Sequence, residues 1–238
     1  MAFHYSPKLV NDGLILYLDA INTKSYPLTG ATWSDLCFHN QIPRYATIVN
    51  GSTYSESSIL LDGSNQYITI PQITTNTTVN NYSFGLWFKP TNNITTSNTN
   101  YYMLFEAQNT PIANSPDNYI YFLNSGGKIT FGTNTPSNNL LTITATWSSS
   151  SWYNVFCTYT SSTGTKKIYV NGVLENSVSG VNNSYLNTST YFSLGAYSSP
   201  SKIWNFPGKI SNVLVYNKTL SDSDVFQNYR ALKSRFGL

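Results

Sequence analysis

Three glutamates, seven aspartates and two histidines supply nearly all the acid-base chemistry open to this chain. Glycoside hydrolysis needs two carboxyl groups flanking one bond, an arrangement that glutamates closely spaced on one strand provide. Glu56, Glu106 and Glu175 are isolated from one another and form no such pair. His4 and His39 read as loop or surface residues rather than as bases or ligands. There is no Gly-Lys-Ser/Thr phosphate loop, no Gly-x-Ser-x-Gly elbow and no Cys-x-x-Cys pair. The chain therefore reads as non-enzymatic, and a glycoside hydrolase drawing its carboxylates from different strands is the third-ranked alternative.

Binding chemistry is better supplied. Tyr and Trp offer a flat apolar face with a polar edge, and the Asn amide both donates and accepts, which together suit stacking on sugar rings and bonding their hydroxyls. Tyr101, Asn109, Asn138, Trp147, Tyr197 and Trp204, in loops or at strand ends, are the candidate glycan-binding residues, with Tyr102 and Asn139 beside them. Trp33, Trp87, Trp152 and Tyr169 are expected in the core. For Trp147 and Trp204, flanked by Ser, Asn and Pro, core and surface readings both remain open. Asp19, Asp35 and Asp62 could offer oxygen ligands to calcium, but turn formation and backbone capping account for them equally, so no metal and no cofactor is assigned.

Aromatics make up 15% of the 238 residues, with 19 Tyr, while charged residues are only 10%. With Asn, Ser and Thr filling most polar positions, this is the balance of an all-β protein with polar loops. A net charge of +3, with no basic run before Arg230–Arg235, gives nucleic-acid binding little electrostatic support. No apolar run approaches the length of a membrane span. The opening Met-Ala-Phe-His-Tyr-Ser-Pro has neither the basic nor the apolar region of a secretory leader, so the sequons at Asn50, Asn76, Asn93 and Asn217 read as unglycosylated. Cys37 and Cys157 have no metal-ligand spacing and are expected to be buried thiols, with a long-range disulfide left open.

The elements that must position these residues centre on Trp152–Ser177. Asn171-Gly172 supplies the two positive-φ residues of a type I′ turn, so Ile168–Val170 should pair with Val173–Ser177. Gly164 returns the chain from a strand over Trp152–Tyr159, giving a three-stranded meander that needs a second sheet to cover its apolar face. Gly13–Asp19, Ala46–Val49, Tyr101–Ala107, Tyr119–Leu123, Lys128–Gly132, Leu140–Thr146, Tyr191–Ala196 and Gly208–Tyr216 read as further strands. Trp33–Leu36 reads as a short turn. Ile59–Gly63 and Tyr67–Ile70 are expected to form a second hairpin. Tyr82–Pro90 alternates Phe84, Leu86 and Phe88 against Ser83, Gly85, Trp87 and Lys89, marking a strand with one face in the core. Ser221-Asp-Ser-Asp224 resembles a capping box opening a helix whose Val225, Tyr229, Leu232 and Phe236 share a face, with Gly237 as C-cap. Residues 1–12 are then an arm, 13–220 the sandwich and 221–238 a helix packed on it.

Six segments, Gly13–Ala20, Thr32–Leu36, Leu61–Ile68, Phe84–Pro90, Lys167–Gly172 and Gly208–Val213, resemble the concanavalin A-like lectin/glucanase superfamily. More narrowly they resemble the laminin-G-like domains of tailed-bacteriophage structural proteins, to which the opening residues and the ending Asn228–Leu238 are also similar. The resemblance implies an all-β, two-sheet antiparallel jelly-roll sandwich with a short C-terminal helix, and ligands met by rim loops or the concave face. It also implies a non-enzymatic virion protein of a phage head or tail, in many copies, contacting other virion proteins and host glycans but neither nucleic acid nor membrane. A capsid decoration protein without glycan binding is the alternative. The superfamily's glycosidase glutamates and metal-binding aspartate run have no counterpart here, and Cys37–Gln41 departs from the turn usual after Trp-Ser-Asp-Leu.

Overall fold

Phe84, Leu86 and Phe88 project from one side of strand β7 (Tyr82–Pro90) into a core between two sheets, and Trp87 projects from the other side into a second apolar layer. The computed structural model describes residues 7–37, 44–71, 79–108, 118–122, 126–133, 140–181, 186, 191–197 and 203–238. His4 and His39 lie outside them.

The first sheet contains β1 (Leu14–Asp19), β4 (Thr53–Tyr54), β5 (Ile59–Asp62), β7, β12 (Tyr153–Thr160), β13 (Thr165–Val170), β14 (Val173–Val178) and β16 (Pro207–Tyr216). Its order is β14-β13-β12-β7-β16-β5-β4, with β1 sharing the second edge of β16. The second sheet runs β11 (Leu140–Leu141), β10 (Ile129–Thr133), β9 (Asn118–Phe122), β8 (Tyr102–Gln108), β15 (Tyr191–Leu194), β6 (Tyr67–Ile70), β3 (Tyr45–Val49) and β2 (Thr32–Ser34). Every pairing among the described strands is antiparallel, so the two packed sheets that the strand pattern implies form the jelly-roll sandwich that the resemblance implies. The meander forms with Val170 opposite Val173, and Asn171 and Gly172 have φ of 50° and 77°, as the I′ turn demands.

Three expectations are corrected. Strands β5 and β6 are no hairpin: β5 pairs with β4 and β16, β6 with β3 and β15, so the chain between them crosses from one sheet to the other. Asp62 makes that corner by accepting the backbone N–H groups of Ser64, Asn65 and Gln66. Thr32–Ser34 is a strand rather than a turn, paired with β3. Cys157 is buried but Cys37 is only partly so, and the two thiols are unbonded.

The outer face of the first sheet is closed by helix α1 (Asp222–Leu232) and the 3-10 turn Lys233–Phe236. Ser221 caps it reciprocally with Asp224, and Gly237 ends it at φ 74°. Phe236 stacks on Trp87 with centroids 4.2 Å apart, and Tyr229 stacks on the same indole at 5.6 Å. Residues 8–10 lie alongside: Val10 N–H donates to the Asn228 side-chain Oδ1 at 2.9 Å, and the Gln227 side-chain amide donates to Lys8 C=O at 2.8 Å. Thus both faces of β7 are covered from Tyr82 to Phe88. The outer face of the second sheet is different.

Candidate glycan-binding site

Along β9, Ile120 and Phe122 enter the core while Tyr119 and Tyr121 point to the opposite, outer face. A bulge in β8 between Met103 and Phe105 sends Leu104 and Phe105 into the core and leaves Met103 and Glu106 outward. Directly paired residues share a face, so Gly132, Tyr119, Glu106 and Ser193 form one row across β10, β9, β8 and β15. Gly132 is required there: a Cβ would lie 1.6 Å from the Tyr119 ring that covers it. Thr130, Tyr121 and Met103 form the next row.

At the end of that second row the chain entering β16 folds back over the sheet. Met103 N–H donates to Trp204 C=O at 2.7 Å, and Tyr197 N–H donates to Ile203 C=O at 2.8 Å. Trp204 has φ 61°, a left-handed conformation uncommon outside glycine. The indole, held so, stacks on Tyr101 at 4.6 Å and 26°, on Tyr197 at 4.9 Å and 28°, and on Tyr121 at 5.6 Å and 27°. Tyr119 continues the cluster, its centroid 5.1 Å from Tyr121. Such pairs contribute roughly 0.5–1.5 kcal/mol each beyond area burial. Tyr121 and Tyr197 are largely buried, whereas Tyr101 and Trp204 are partly exposed at the mouth of an open groove of about 570 Å³.

Asn100, Asn205, Ser64 and Tyr102 also line the groove, and among the described residues no charged side chain does. The Asn100 side-chain amide donates to the Tyr102 hydroxyl at 3.2 Å. Burial pushes the phenols of Tyr121 and Tyr197 up, and for Tyr197 the Glu106 charge adds to the effect, so both hydroxyls stay protonated donors at neutral pH. The assembly offers aromatic faces together with amides and hydroxyls able to hydrogen-bond.

Of the residues singled out by sequence, Tyr101, Tyr197 and Trp204 come together here. Trp147 does not. It is 1% exposed, donates its indole N–H to Gly127 C=O at 2.7 Å and packs edge-on against Tyr153 and Phe122, so the core claims it. Its bridge to Ile94 turns the ring inward whatever its polar neighbours in sequence. Asn109 and Asn138, with Asn139, lie outside the described residues. Tyr119, Tyr121, Asn100, Asn205 and Ser64 were missed, although the spacing of two between Tyr119 and Tyr121 was a signal that both share a face.

Glu175, Asp19 and Asp35 have structural partners. Glu175 accepts Ile143 N–H, Thr144 N–H and the Thr144 hydroxyl, each at 2.8 Å. Asp19 accepts from Tyr17 and Arg235, each at 2.7 Å, and Asp35 pairs with Arg44 at 2.7 Å. Among the described residues no group of three or more His, Cys, Asp or Glu is placed to hold a metal.

A family model for the concanavalin A-like lectin/glucanases superfamily matches residues 62–226. The chain belongs to this superfamily. Among solved structures, this lectin-like domain resembles the binding domain of botulinum neurotoxin serotype D, with TM-score 0.66 and 17% identity over 92% of this chain and 52% of that one. It resembles likewise the binding domain of botulinum neurotoxin DC in complex with SialylT, with TM-score 0.64 and 17% identity over 94% and 52%. Domain 4 of AbnA, a GH43 extracellular arabinanase from Geobacillus stearothermophilus in complex with arabinotriose, aligns with TM-score 0.59 and 20% identity over 91% and 98%. The chain thus spans about half the length of the neurotoxin domains and nearly all of the arabinanase domain. At these identities the likeness is one of fold. No curated protein matches the sequence.

Proposed function

We propose that this concanavalin A-like domain is a non-catalytic module that binds an uncharged part of a glycan in the groove beside Trp204, and that it does so on the surface of a virus particle. The observation that carries the binding half is the Trp204 indole, held at positive φ and stacked on Tyr101 and Tyr197 at the mouth of a groove whose described lining is uncharged. A sugar ring laid on the exposed part of this platform would gain apolar contact from the aromatics and hydrogen bonds from Asn100, Asn205 and Ser64. A domain of the same fold bound to arabinotriose supports the reading by analogy. The engagement of Glu56 and Glu175 by other groups supports binding without catalysis.

An open groove of this kind binds weakly as a single copy, and repetition on one particle raises the effective concentration of each contact. The similarity of the opening and closing segments to phage structural proteins supports display on a head or tail among other virion proteins. A glycan array probed with a multimerised form tests the first half: binding to neutral glycans that Trp204→Ala abolishes is expected, and an array without signal removes it. Mass spectrometry of purified particles tests the second half, which fails if the chain is not a stoichiometric component.

Capsid decoration is the second reading, favoured by exposed apolar side chains at Val173, Leu174 and Val178 along the edge strand β14 and at Ile143 nearby. Particles lacking the chain would then lose heat resistance rather than adsorption.

A further inference from the structure

Away from the aromatic groove, Lys209 of β16 and Lys89 of β7 are direct cross-strand partners. Like charges facing each other across a sheet are destabilising unless something negative lies between them. Here it is Glu56, whose two carboxylate oxygens are divided between the lysines: Oε1 lies 2.9 Å from Lys209 Nζ and Oε2 lies 3.3 Å from Lys89 Nζ. The lysines are held, with side chains only 15% and 19% exposed, whereas Glu56 is 57% exposed. All three line an open pocket of about 320 Å³, together with Thr91 and Ser149.

Glu56 is not what fastens its own loop. Ser55 N–H donates to Ser58 C=O at 2.9 Å, and the Ser211 hydroxyl donates to Ser57 C=O at 2.8 Å. Glu56 and Ser57 both have positive φ, 50° and 60°, so the turn carries local strain while it holds the carboxylate over the lysines. An exposed ion pair stabilises by well under the strength of a buried one, so an incoming carboxylate anchored elsewhere on the same molecule can displace it.

We propose that Lys89 and Lys209 form a seat for a ligand carboxylate, that of a uronic-acid sugar, and that Glu56 occupies it when no ligand is bound. The division of one planar carboxylate between two fixed ammonium groups defines the ligand group. This inference takes only its choice of sugar from the glycan-binding reading, since the lysine pair is independent of Trp204.

Calorimetric titration of trigalacturonate and of its methyl ester at low ionic strength into the full chain tests it. Glu56→Ala is expected to bind trigalacturonate about fivefold tighter than the parent does, with no such gain for the ester. Adding Lys209→Met to Glu56→Ala removes the gain, and Trp204→Ala added to it leaves the ratio of acid to ester unchanged. Failure of Glu56→Ala to bind the acid more tightly than the ester overturns the carboxylate seat. A lower melting temperature of that variant without gained binding identifies Glu56 as an internal clamp instead. Absence of neutral-glycan binding by the parent, with the uronate gain intact, overturns the groove reading alone.

Discussion

Lys166 crosses the interior of the sandwich to Phe131: its ammonium donates to the Phe131 carbonyl at 2.9 Å and lies 4.4 Å from the centre of the same ring. The lysine starts on β13 opposite Tyr159, on the core side, and is fully buried. Loss of hydration lowers its pKa from the ordinary 10.5 to about 7, with the neighbouring Cys157 acting weakly the other way.

Between those two values the unfolded chain holds a proton that the folded chain has released, so this residue makes stability rise with pH from about 7 towards 10. Below about 7 both states are protonated and its contribution stays at its minimum. Denaturant midpoints measured from pH 7 to 9.5 should climb in the parent and flatten in Lys166→Met. That variant should also be the more stable at pH 7, by about 1 kcal/mol or about 2–4 °C, because an apolar chain of similar length needs no desolvation of charge.

Trp204 separates function from stability. Trp204→Gly relieves the positive φ of the backbone but removes the stacking platform. It should cut glycan affinity about five- to tenfold, with stacking on an aromatic worth ~1–1.5 kcal/mol, while its melting temperature stays closer to the parent's than that of Trp204→Ala. Tyr101→Phe keeps the ring stacked on Trp204 and should bind within about twofold of the parent. Titration with a neutral oligosaccharide and scanning calorimetry read both effects.

Trp147 gives the opposite pattern. Packed against Phe88, Phe122 and Tyr153, it should lose about 3–5 kcal/mol on Trp147→Ala, measured by denaturant unfolding. Any binding lost in that variant should return in Trp147→Phe, which leaves a smaller void and no ring at the groove.

These two tryptophans show what was legible in the chain. Element type and most boundaries followed from periodicity and turn chemistry: the alternation through Tyr82–Pro90, Asn171-Gly172 and the Ser221 capping box each specify local geometry that tertiary packing only confirmed. The sheet to which a strand belongs is not local. Asp62-Gly63-Ser64-Asn65 is good turn chemistry whether the chain doubles back or crosses, and the hairpin expected there failed on that ambiguity. Polar neighbours in sequence likewise do not reveal where a ring points, so Trp147 and Trp204 looked alike. The bulge that turns Met103 and Glu106 outward has no signature of its own, and β9 is apolar on both faces, which hid Tyr119 and Tyr121 from the candidate site.

The last prediction concerns the closing turn. Asp19 is 1% exposed by side chain, and its Oδ2 accepts from Arg235 at 2.7 Å and from the Tyr17 hydroxyl at 2.7 Å. The pair ties β1 to the 3-10 turn that places Phe236 on Trp87. Arg235→Ala leaves a buried carboxylate with only neutral donors, and losing one partner of a buried pair costs ~3–5 kcal/mol. Arg235 is itself 39% exposed, so water tempers the loss and about 1–3 kcal/mol is expected by denaturant unfolding. Asp19→Asn combined with Arg235→Ala should recover part of it, because no uncompensated charge remains inside. A double variant as unstable as the sum of the two single ones would show instead that the two residues act independently, and the coupling of β1 to the helix would then rest on the apolar contacts of Phe236 alone.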